Sequence, residues 1–239
     1  MKYLLPILLT VCGALVLVLY LLEKTRRYSV KGAILKSFVS LFFIMIALWG
    51  GIFGSGVYGF LITIGLALGL LGDIWLDLKY VHREGEHELQ YTHAGFNVFG
   101  LGHIMYIVAV VITFGDFSKW IYLAVPLVLA ILMASITVPA SGMMGLEYGQ
   151  YKVTCVLYMG LLTVSAAMAI SMAIMHGLSD IALDFMAGGL ILFYISDIIL
   201  SGTYFGKGKE RKVDLITNYL TYYPAQFLIA WSVVLLATR

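Results

Sequence analysis

The stretch Gly65–Tyr80, GLALGLLGDIWLDLKY, decides how the rest of the chain is interpreted. An apolar run carries Asp73 deep into a segment with the composition of a membrane helix, and Asp77 follows one turn later. An ionised aspartate at the centre of a lipid-embedded helix costs about 2.5–3.5 kcal/mol on insertion scales. We therefore expect Asp73 to face the protein interior, where it either does chemistry or hydrogen-bonds a neighbouring helix.

The composition of the whole chain agrees with a membrane protein. Of its 239 residues 62% are hydrophobic and 12% are charged, whereas soluble domains contain about 25% charged residues. No long polar segment interrupts the sequence, so we predict a single transmembrane domain over residues 1–239. Cys12 and Cys155 lie in apolar runs and indicate no disulfide framework.

Apolar runs of about 17–25 residues predict membrane-spanning helices. The predicted spans are Tyr3–Leu22, Ser37–Phe53, Val57–Leu78, Ala94–Phe114, Trp120–Ala140, Tyr151–Met175, Ile181–Tyr204 and Val213–Ala237. The predicted fold class is therefore all-α, a polytopic bundle of about eight transmembrane helices.

Basic residues predict the orientation of this bundle. All of the 15 lysines and arginines except Lys2, Lys119 and Arg239 fall in or beside the odd-numbered connections. The positive-inside rule then places those connections in the cytoplasm and both termini on the non-cytoplasmic side. We expect an integral membrane protein, in the inner cell membrane if the source is bacterial.

A second aspartate, Asp197, occupies helix seven much as Asp73 occupies helix three. The segments Gly72–Leu76 and Ser196–Leu200 have similar sequences around the aspartate. Both helices run in the same direction and meet their aspartate a few residues before the same end, so the two depths differ by only a few Å at 1.5 Å per residue. The sequence therefore predicts two buried carboxyls that share one cavity.

Further polar residues lie on the helices that could surround this cavity. The candidates for substrate binding or support are His103, Tyr106, Tyr194, Asn218, Tyr222, Gln226 and Lys36. Some of these tyrosines could instead belong to the aromatic belt at the membrane surface. Lys36, at the predicted start of helix two, could bind a phosphate headgroup or could snorkel to the interface. Asp77 is predicted to be solvated or paired with Lys79 or Arg83.

Metal, cofactor and nucleic-acid chemistry receive little support from the sequence. His82, His87 and His93 fall in the predicted third connection, but their spacing is unlike that of zinc sites, so we predict no metal and no cofactor. The chain has no phosphate-binding loop, dinucleotide fingerprint or serine nucleophile motif. It also has no basic and aromatic surface for nucleic acid.

Four segments in order along the chain resemble the YhhN family, the lysoplasmalogenases. Leu71–Leu76 is similar to its LLGDxxL helix, and Gly95–Tyr106 to its G-x3-F-x3-H-x2-Y segment. Leu192–Asp197 is similar to the family's lFxxSD helix, and Tyr222–Gln226 to its final YYxAQ element. Lys36 precedes a serine where the family has a proline, and the resemblance extends from there to the C-terminus.

The resemblance implies a hydrolase that cleaves the vinyl ether bond of lysoplasmalogens into a fatty aldehyde and a glycerophospho-alcohol. It implies Asp73 and Asp197 as the catalytic pair and a lysophospholipid as the partner. Vinyl ether hydrolysis needs one general acid and one carboxylate, as glycosidic bonds do, and two carboxyls close together in low dielectric do not easily both ionise. Two alternatives remain: a lipid or small-molecule transporter with the aspartates as a proton relay, and a metal-dependent lipid hydrolase.

Overall fold

The structure is a computed structural model that describes residues 2–24, 30–81, 86–206 and 211–239. Within these ranges the chain forms eight α-helices and two short 3-10 helices, and no strand. The α-helices are α1 (Leu4–Lys24), α2 (Val30–Ile52), α3 (Gly56–Val81), α4 (Glu86–Phe114), α5 (Ile121–Met144), α6 (Lys152–Met175), α7 (Ile181–Phe205) and α8 (Lys212–Ala237). All eight are long and apolar enough to cross a membrane. The predicted all-α class, with eight helices of membrane-spanning length and composition in the described residues, is thus confirmed. The sidedness of the termini stays a prediction.

Two predicted helix starts were wrong. The second helix begins at Val30 rather than Ser37, and the fourth begins at Glu86 rather than Ala94. In both cases the missing turns contain charged or polar residues, which a search for apolar runs excludes although they continue the helix. Lys36 therefore lies inside α2 rather than at its start. His87 and His93 lie on α4 rather than in a loop.

Neighbouring helices pair along the chain, α1 with α2, α3 with α4, α5 with α6 and α7 with α8. Helix α8 closes the bundle because it also packs on α2 and α3. The start of α1 meets the end of α8, where the Tyr3 hydroxyl donates to Thr238 Oγ1 over 3.0 Å. Helix α5 packs mainly on α6 and exposes many large apolar side chains, as expected for a helix that faces lipid.

Glycines on α3 and α4 explain why these two helices approach so closely. A Cβ added at Gly72 would lie 2.6 Å from a ring carbon of Phe99. A Cβ added at Gly102 would lie 3.1 Å from the backbone oxygen of Gly65. Small residues on one face allow such contact between membrane helices. Gly65, Gly72 and Asp73 are all buried in the bundle, which is the inward position that the sequence predicted for Asp73.

Candidate functional site

Asp73 and Asp197 line one cavity near the end of the bundle where α3 and α7 finish. Each aspartate lies eight residues before the last residue of its helix, Val81 in α3 and Phe205 in α7. At 1.5 Å per residue both carboxyls are about 12 Å from that end. The cavity has a volume of about 670 Å³, its open mouth included. The expected common depth and common cavity are both present in the structure.

Asp73 lies on a wall of the cavity that supplies positive charge and a hydroxyl donor. Lys36 Nζ, from α2, is 3.0 Å from Asp73 Oδ1. The Tyr222 hydroxyl, from α8, donates to Asp73 Oδ2 over 2.9 Å. Asp73 and Lys36 are each only 5% exposed. The carboxylate is thus compensated by an ammonium and a hydroxyl, as a buried charge requires.

Lys24 and Asp77 extend this wall toward the mouth. Asp77 Oδ1 is 3.5 Å from Lys24 Nζ and 3.5 Å from Lys36 Nζ. The expected pairing of Asp77 with Lys79 or Arg83 concerns side chains outside the described residues; the partners that the structure gives it come from α1 and α2. The alternative of a snorkelling Lys36 is wrong, because its ammonium is buried between two aspartates.

Asp197 has different surroundings. Its Oδ2 accepts a short hydrogen bond from the hydroxyl of Tyr158, on α6. Within the ranges that the structure describes, no lysine or arginine forms an ion pair with it. Its neighbours along the cavity wall include the apolar side chains of Phe96 and Leu200. One carboxyl of the pair therefore has a cation beside it, and the other has a phenol and hydrocarbon.

Asn218 also lines the cavity, but its side-chain amide is hydrogen-bonded to another helix. Its Nδ2 donates to the backbone oxygen of Ser196 over 2.8 Å and to Ser196 Oγ over 2.9 Å. Ser196 Oγ lies 3.4 Å from the Asn218 backbone oxygen. These bonds hold α8 against α7 directly beside Asp197, so Asn218 fixes the position of that aspartate's helix.

Four of the predicted site residues do not line this cavity. His103, Tyr106 and Gln226 are buried behind it, and Tyr194 is turned toward α6. The Tyr194 hydroxyl lies 3.5 Å from both Met159 Sδ and Thr163 Oγ1, so it joins α7 to α6. Tyr194 and Asp197 are three residues apart, so helical spacing puts them on one face of α7. The spacing does not show that α6 packs against this residue, and the Tyr194 hydroxyl contacts α6 rather than the cavity.

His103 and Tyr106 pack among buried side chains behind the cavity. His103 Nδ1 is 3.1 Å from Ser165 Oγ, and its ring packs against Phe193 with the centroids 4.7 Å apart. Tyr106 packs into the space left by Gly65. Gln226 is 0% exposed, and its Nε2 lies 3.3 Å from where a Cβ on Gly69 would be. Their positions suit structural roles one layer away from the aspartates.

Sequence reasoning missed two residues of the site, Tyr158 and Lys24. A weak signal for Tyr158 does exist, because Thr154, Tyr158 and Ser165 recur at spacings of four and seven on one face of α6. In the structure that face meets α4, where Thr154 bonds His93 and Ser165 bonds His103. Lys24 had no signal beyond its charge, since a basic residue at a helix end is ordinary in membrane proteins.

The histidines considered as metal ligands are dispersed. His93 Nδ1 is 2.8 Å from Thr154 Oγ1, and His87 stacks near Tyr91. His82 lies outside the described residues. In the described part of the chain no three His, Cys, Asp or Glu side chains are grouped as a metal ion would need.

Comparisons with known proteins give one match. The model of the YhhN family matches residues 32–233, which is most of the chain. No curated protein and no solved structure matches it. The matched range includes both aspartates, Lys36 and Tyr222, and it begins after Lys24.

Proposed function

The chain belongs to the YhhN family, and on that premise we propose that it hydrolyses the vinyl ether bond of lysoplasmalogens. The products would be a fatty aldehyde and a glycerophospho-alcohol. The observation that supports this most is the unequal pair of carboxyls in one cavity, Asp73 beside an ammonium and Asp197 beside a phenol. A vinyl ether needs both an acid and an anion, and this pair can supply one of each.

The surroundings of the two carboxyls assign their roles in the proposal. Lys36 and Tyr222 favour the ionised form of Asp73, because both stabilise negative charge on its oxygens. Two anions in one cavity of low dielectric repel each other, and Asp197 lacks a compensating cation in the described structure. Asp197 therefore holds the proton and acts as the general acid. With Oδ2 bonded to Tyr158, its Oδ1 can present that proton to the cavity.

The proposed reaction starts with transfer of the Asp197 proton to the β-carbon of the vinyl ether. The carbon–carbon π electrons form the new C–H bond, and the ether carbon becomes an oxocarbenium ion beside the Asp73 carboxylate. Water adds to that carbon and gives up one proton, which returns to the Asp197 carboxylate. In the resulting hemiacetal the C–O bond to glycerol breaks, the proton of the new hydroxyl passes to the glycerol oxygen, and the aldehyde carbonyl forms. The net reaction consumes one water, and Asp197 is protonated again.

Lys24 is the proposed partner of the substrate phosphate. Lys36 was the candidate from the sequence, but in the structure two carboxylates engage its ammonium. Lys24 lines the same cavity and pairs with Asp77 at 3.5 Å. A phosphate that reaches Lys24 keeps the glycerol group beside Asp73. This arrangement orients the headgroup on the charged side of the cavity.

The transporter alternative receives less support. Transporter sites commonly use helices that are interrupted at the binding site, whereas α3 and α7 continue unbroken through Asp73 and Asp197. The metal-dependent alternative would require ligands that the described histidines do not bring together. Product analysis with purified protein and a panel of vinyl ether, saturated ether and ester lysolipids separates all three functions.

The sharpest test follows the proton. If Asp197 protonates carbon, aldehyde formed in D₂O carries one deuterium on the carbon next to the carbonyl, and turnover is slower than in H₂O. The aldehyde must be trapped at once, and preformed aldehyde in D₂O measures exchange through the enol. An ester hydrolase, a phosphate hydrolase or a transporter puts no solvent hydrogen there. Aldehyde without deuterium above that background contradicts the mechanism.

A further inference from the structure

A second cavity, which we call the tail pocket, joins the first at Asp197. It lies among α4, α5, α6 and α7 and spans about 410 Å³ when its open mouth is included. The two cavities share Phe96, Tyr158, Asp197 and Leu200. The other side chains of the tail pocket are mostly apolar or small. They are Thr137, Tyr148, Cys155, Met159, Leu162, Ser201 and Phe205.

Two hydroxyl groups of the tail pocket already have hydrogen-bond acceptors in the protein, so they do not need one from a ligand. The Thr137 hydroxyl donates to the Met133 backbone oxygen of its own helix over 2.7 Å. The Ser201 hydroxyl donates to the backbone oxygen of Ile198 over 2.7 Å. A buried cysteine such as Cys155 behaves as a small hydrophobe. Apart from Asp197 at its mouth, the pocket therefore offers a surface suited to hydrocarbon.

The two cavities together form a gradient of polarity that passes through the aspartates. Lys24, Lys36 and Asp77 lie on one side of the pair, and the tail pocket lies beyond Asp197 on the other. In a vinyl ether lysolipid the scissile group is itself the junction between the charged headgroup and the single chain. When that junction lies between the carboxyls, headgroup and chain must extend in opposite directions.

We propose that the tail pocket binds the single hydrocarbon chain of the lysolipid substrate, with its vinyl ether end at Asp197. This inference rests on the proposed function for the identity of the scissile group. The free space enclosed in the pocket, about 30 Å³, is smaller than such a chain, so binding requires flexible side chains such as Met159 to move aside. The bound chain also excludes water from the acid, while the water that the reaction needs reaches the opposite, charged side.

Another apolar space that could hold the chain is an open groove between α2 and α3, about 920 Å³ with its solvent-open side included. It is lined by residues such as Ser37, Phe38 and Ile74, and it reaches Lys36, Asp73 and Asp77. A chain in this groove would share the charged side of the cavity with the headgroup. The groove therefore suits passage of the lipid from the bilayer, and the tail pocket suits the chain during reaction.

The first experiment measures binding without turnover. A lysolipid with a saturated ether and a diazirine in mid-chain cannot undergo the proposed hydrolysis, so its labelling is independent of activity. After illumination with the full-length protein in nanodiscs, we expect saturable crosslinks on peptides that contain Thr137, Cys155 to Leu162, or Ser201. Crosslinks confined to the α2–α3 groove, or no saturable crosslink, would overturn the proposal.

The second experiment uses two matched substitutions. Ser201→Trp fills the tail pocket and Ser37→Trp fills the groove. Both serines are half-buried, and the hydroxyl of each donates to a backbone carbonyl of its own helix. Each buried methylene contributes about fourfold to affinity. Ser201→Trp should therefore weaken the binding of a long-chain lysolipid by about tenfold or more relative to that of a short-chain lysolipid. Ser37→Trp should leave that ratio unchanged.

The outcomes separate this inference from the proposed function. If Ser37→Trp alone changes the ratio of long-chain to short-chain affinity, the chain binds in the groove and the tail-pocket proposal is refuted. Crosslinks in the tail pocket without hydrolysis of any vinyl ether lysolipid support the pocket and refute the reaction. Where Ser201→Trp fails to fold by size-exclusion chromatography, labelling of the unmodified protein decides alone.

Discussion

Asp73 and Asp197 lie at the same depth on similar helix segments, yet their surroundings differ in kind. Asp73 receives an ammonium from α2 and a hydroxyl from α8. Asp197 receives one hydroxyl, from α6, and borders the apolar tail pocket. The helix that contains a carboxyl therefore fixes its depth, and the helices packed against it supply the groups that favour or disfavour its charge.

The largest effect is expected from Asp197→Asn. An amide has nearly the shape of the carboxyl but no acidic proton, and loss of a general acid typically costs about 10²–10⁴ in rate. Asn can still accept the Tyr158 hydrogen bond, so thermal unfolding in detergent should be nearly unchanged. Turnover within tenfold of the unmodified protein would mean that Asp197 is not the acid.

Asp73→Asn should also abolish most activity, but it should lower stability as well. Removal of one partner from a buried ion pair typically costs about 3–5 kcal/mol, and the cost here should be smaller because Asp77 still faces Lys36. The free energy of unfolding, measured by denaturant titration in detergent, distinguishes the two asparagine variants. Equal stability of both variants would contradict the charge difference between the two walls.

Lys36→Met sharpens the same comparison as a double-variant test. Alone it leaves Asp73 and Asp77 without their shared ammonium and should destabilise the fold. Combined with Asp73→Asn, it should recover much of that stability because the buried charge is gone on both sides, while activity stays lost. Failure of the double variant to recover any stability would show that the pair is not coupled.

Replacement of the two tyrosines should lower the rate less than the asparagine variants do, with a larger loss for Tyr222 than for Tyr158. Tyr222→Phe removes a donor to the proposed anion, and such bonds contribute about 1.5–3 kcal/mol, or roughly 10–150-fold in rate. Tyr158→Phe removes a donor to the proposed neutral acid and should cost only about 0.5–1.5 kcal/mol. The kcat/KM values of both variants, measured in parallel, give the order. A larger loss for Tyr158→Phe would reverse the assignment of acid and anion.

Asp77→Asn should have a weaker effect than either asparagine variant above. Asp77 contacts Lys24 and Lys36 but has no role in the proposed proton transfer. We expect a several-fold rise in KM as Lys24 shifts, with kcat close to that of the unmodified protein. A loss of kcat as large as that of Asp73→Asn would place Asp77 in the chemistry itself.

No effect is expected from chelators. The proposed mechanism uses two carboxyls and water, so EDTA should leave turnover unchanged, as should alanine at His82, His87 and His93. Loss of activity with EDTA that zinc restores would favour the metal-dependent hydrolase over the carboxyl pair.

The eight helices and the common depth of the aspartates follow from sequence because apolar length and residue count alone determine them. Of the predicted supporting residues, Lys36, Asn218 and Tyr222 line the cavity, whereas His103, Tyr106, Tyr194 and Gln226 do not. Spacing shows which residues share a face of one helix, but it does not show which helix that face meets. Tyr158 and Lys24 come to the site from α6 and α1 by tertiary packing. The recurrence of Thr154, Tyr158 and Ser165 marks a polar face of α6, but it does not show that this face reaches Asp197.

The cluster of Lys24, Lys36, Asp73 and Asp77 also has a consequence for biogenesis. A lysine that enters the bilayer alone costs about 2.5–3.5 kcal/mol at mid-helix, and α2 leaves the ribosome before α3 does. The charges of the two lysines and two aspartates in this cluster sum to zero, so the cluster is neutral before the rest of the chain is made. Asp197 is synthesised 124 residues after Asp73, when the charged cluster on α1, α2 and α3 already exists.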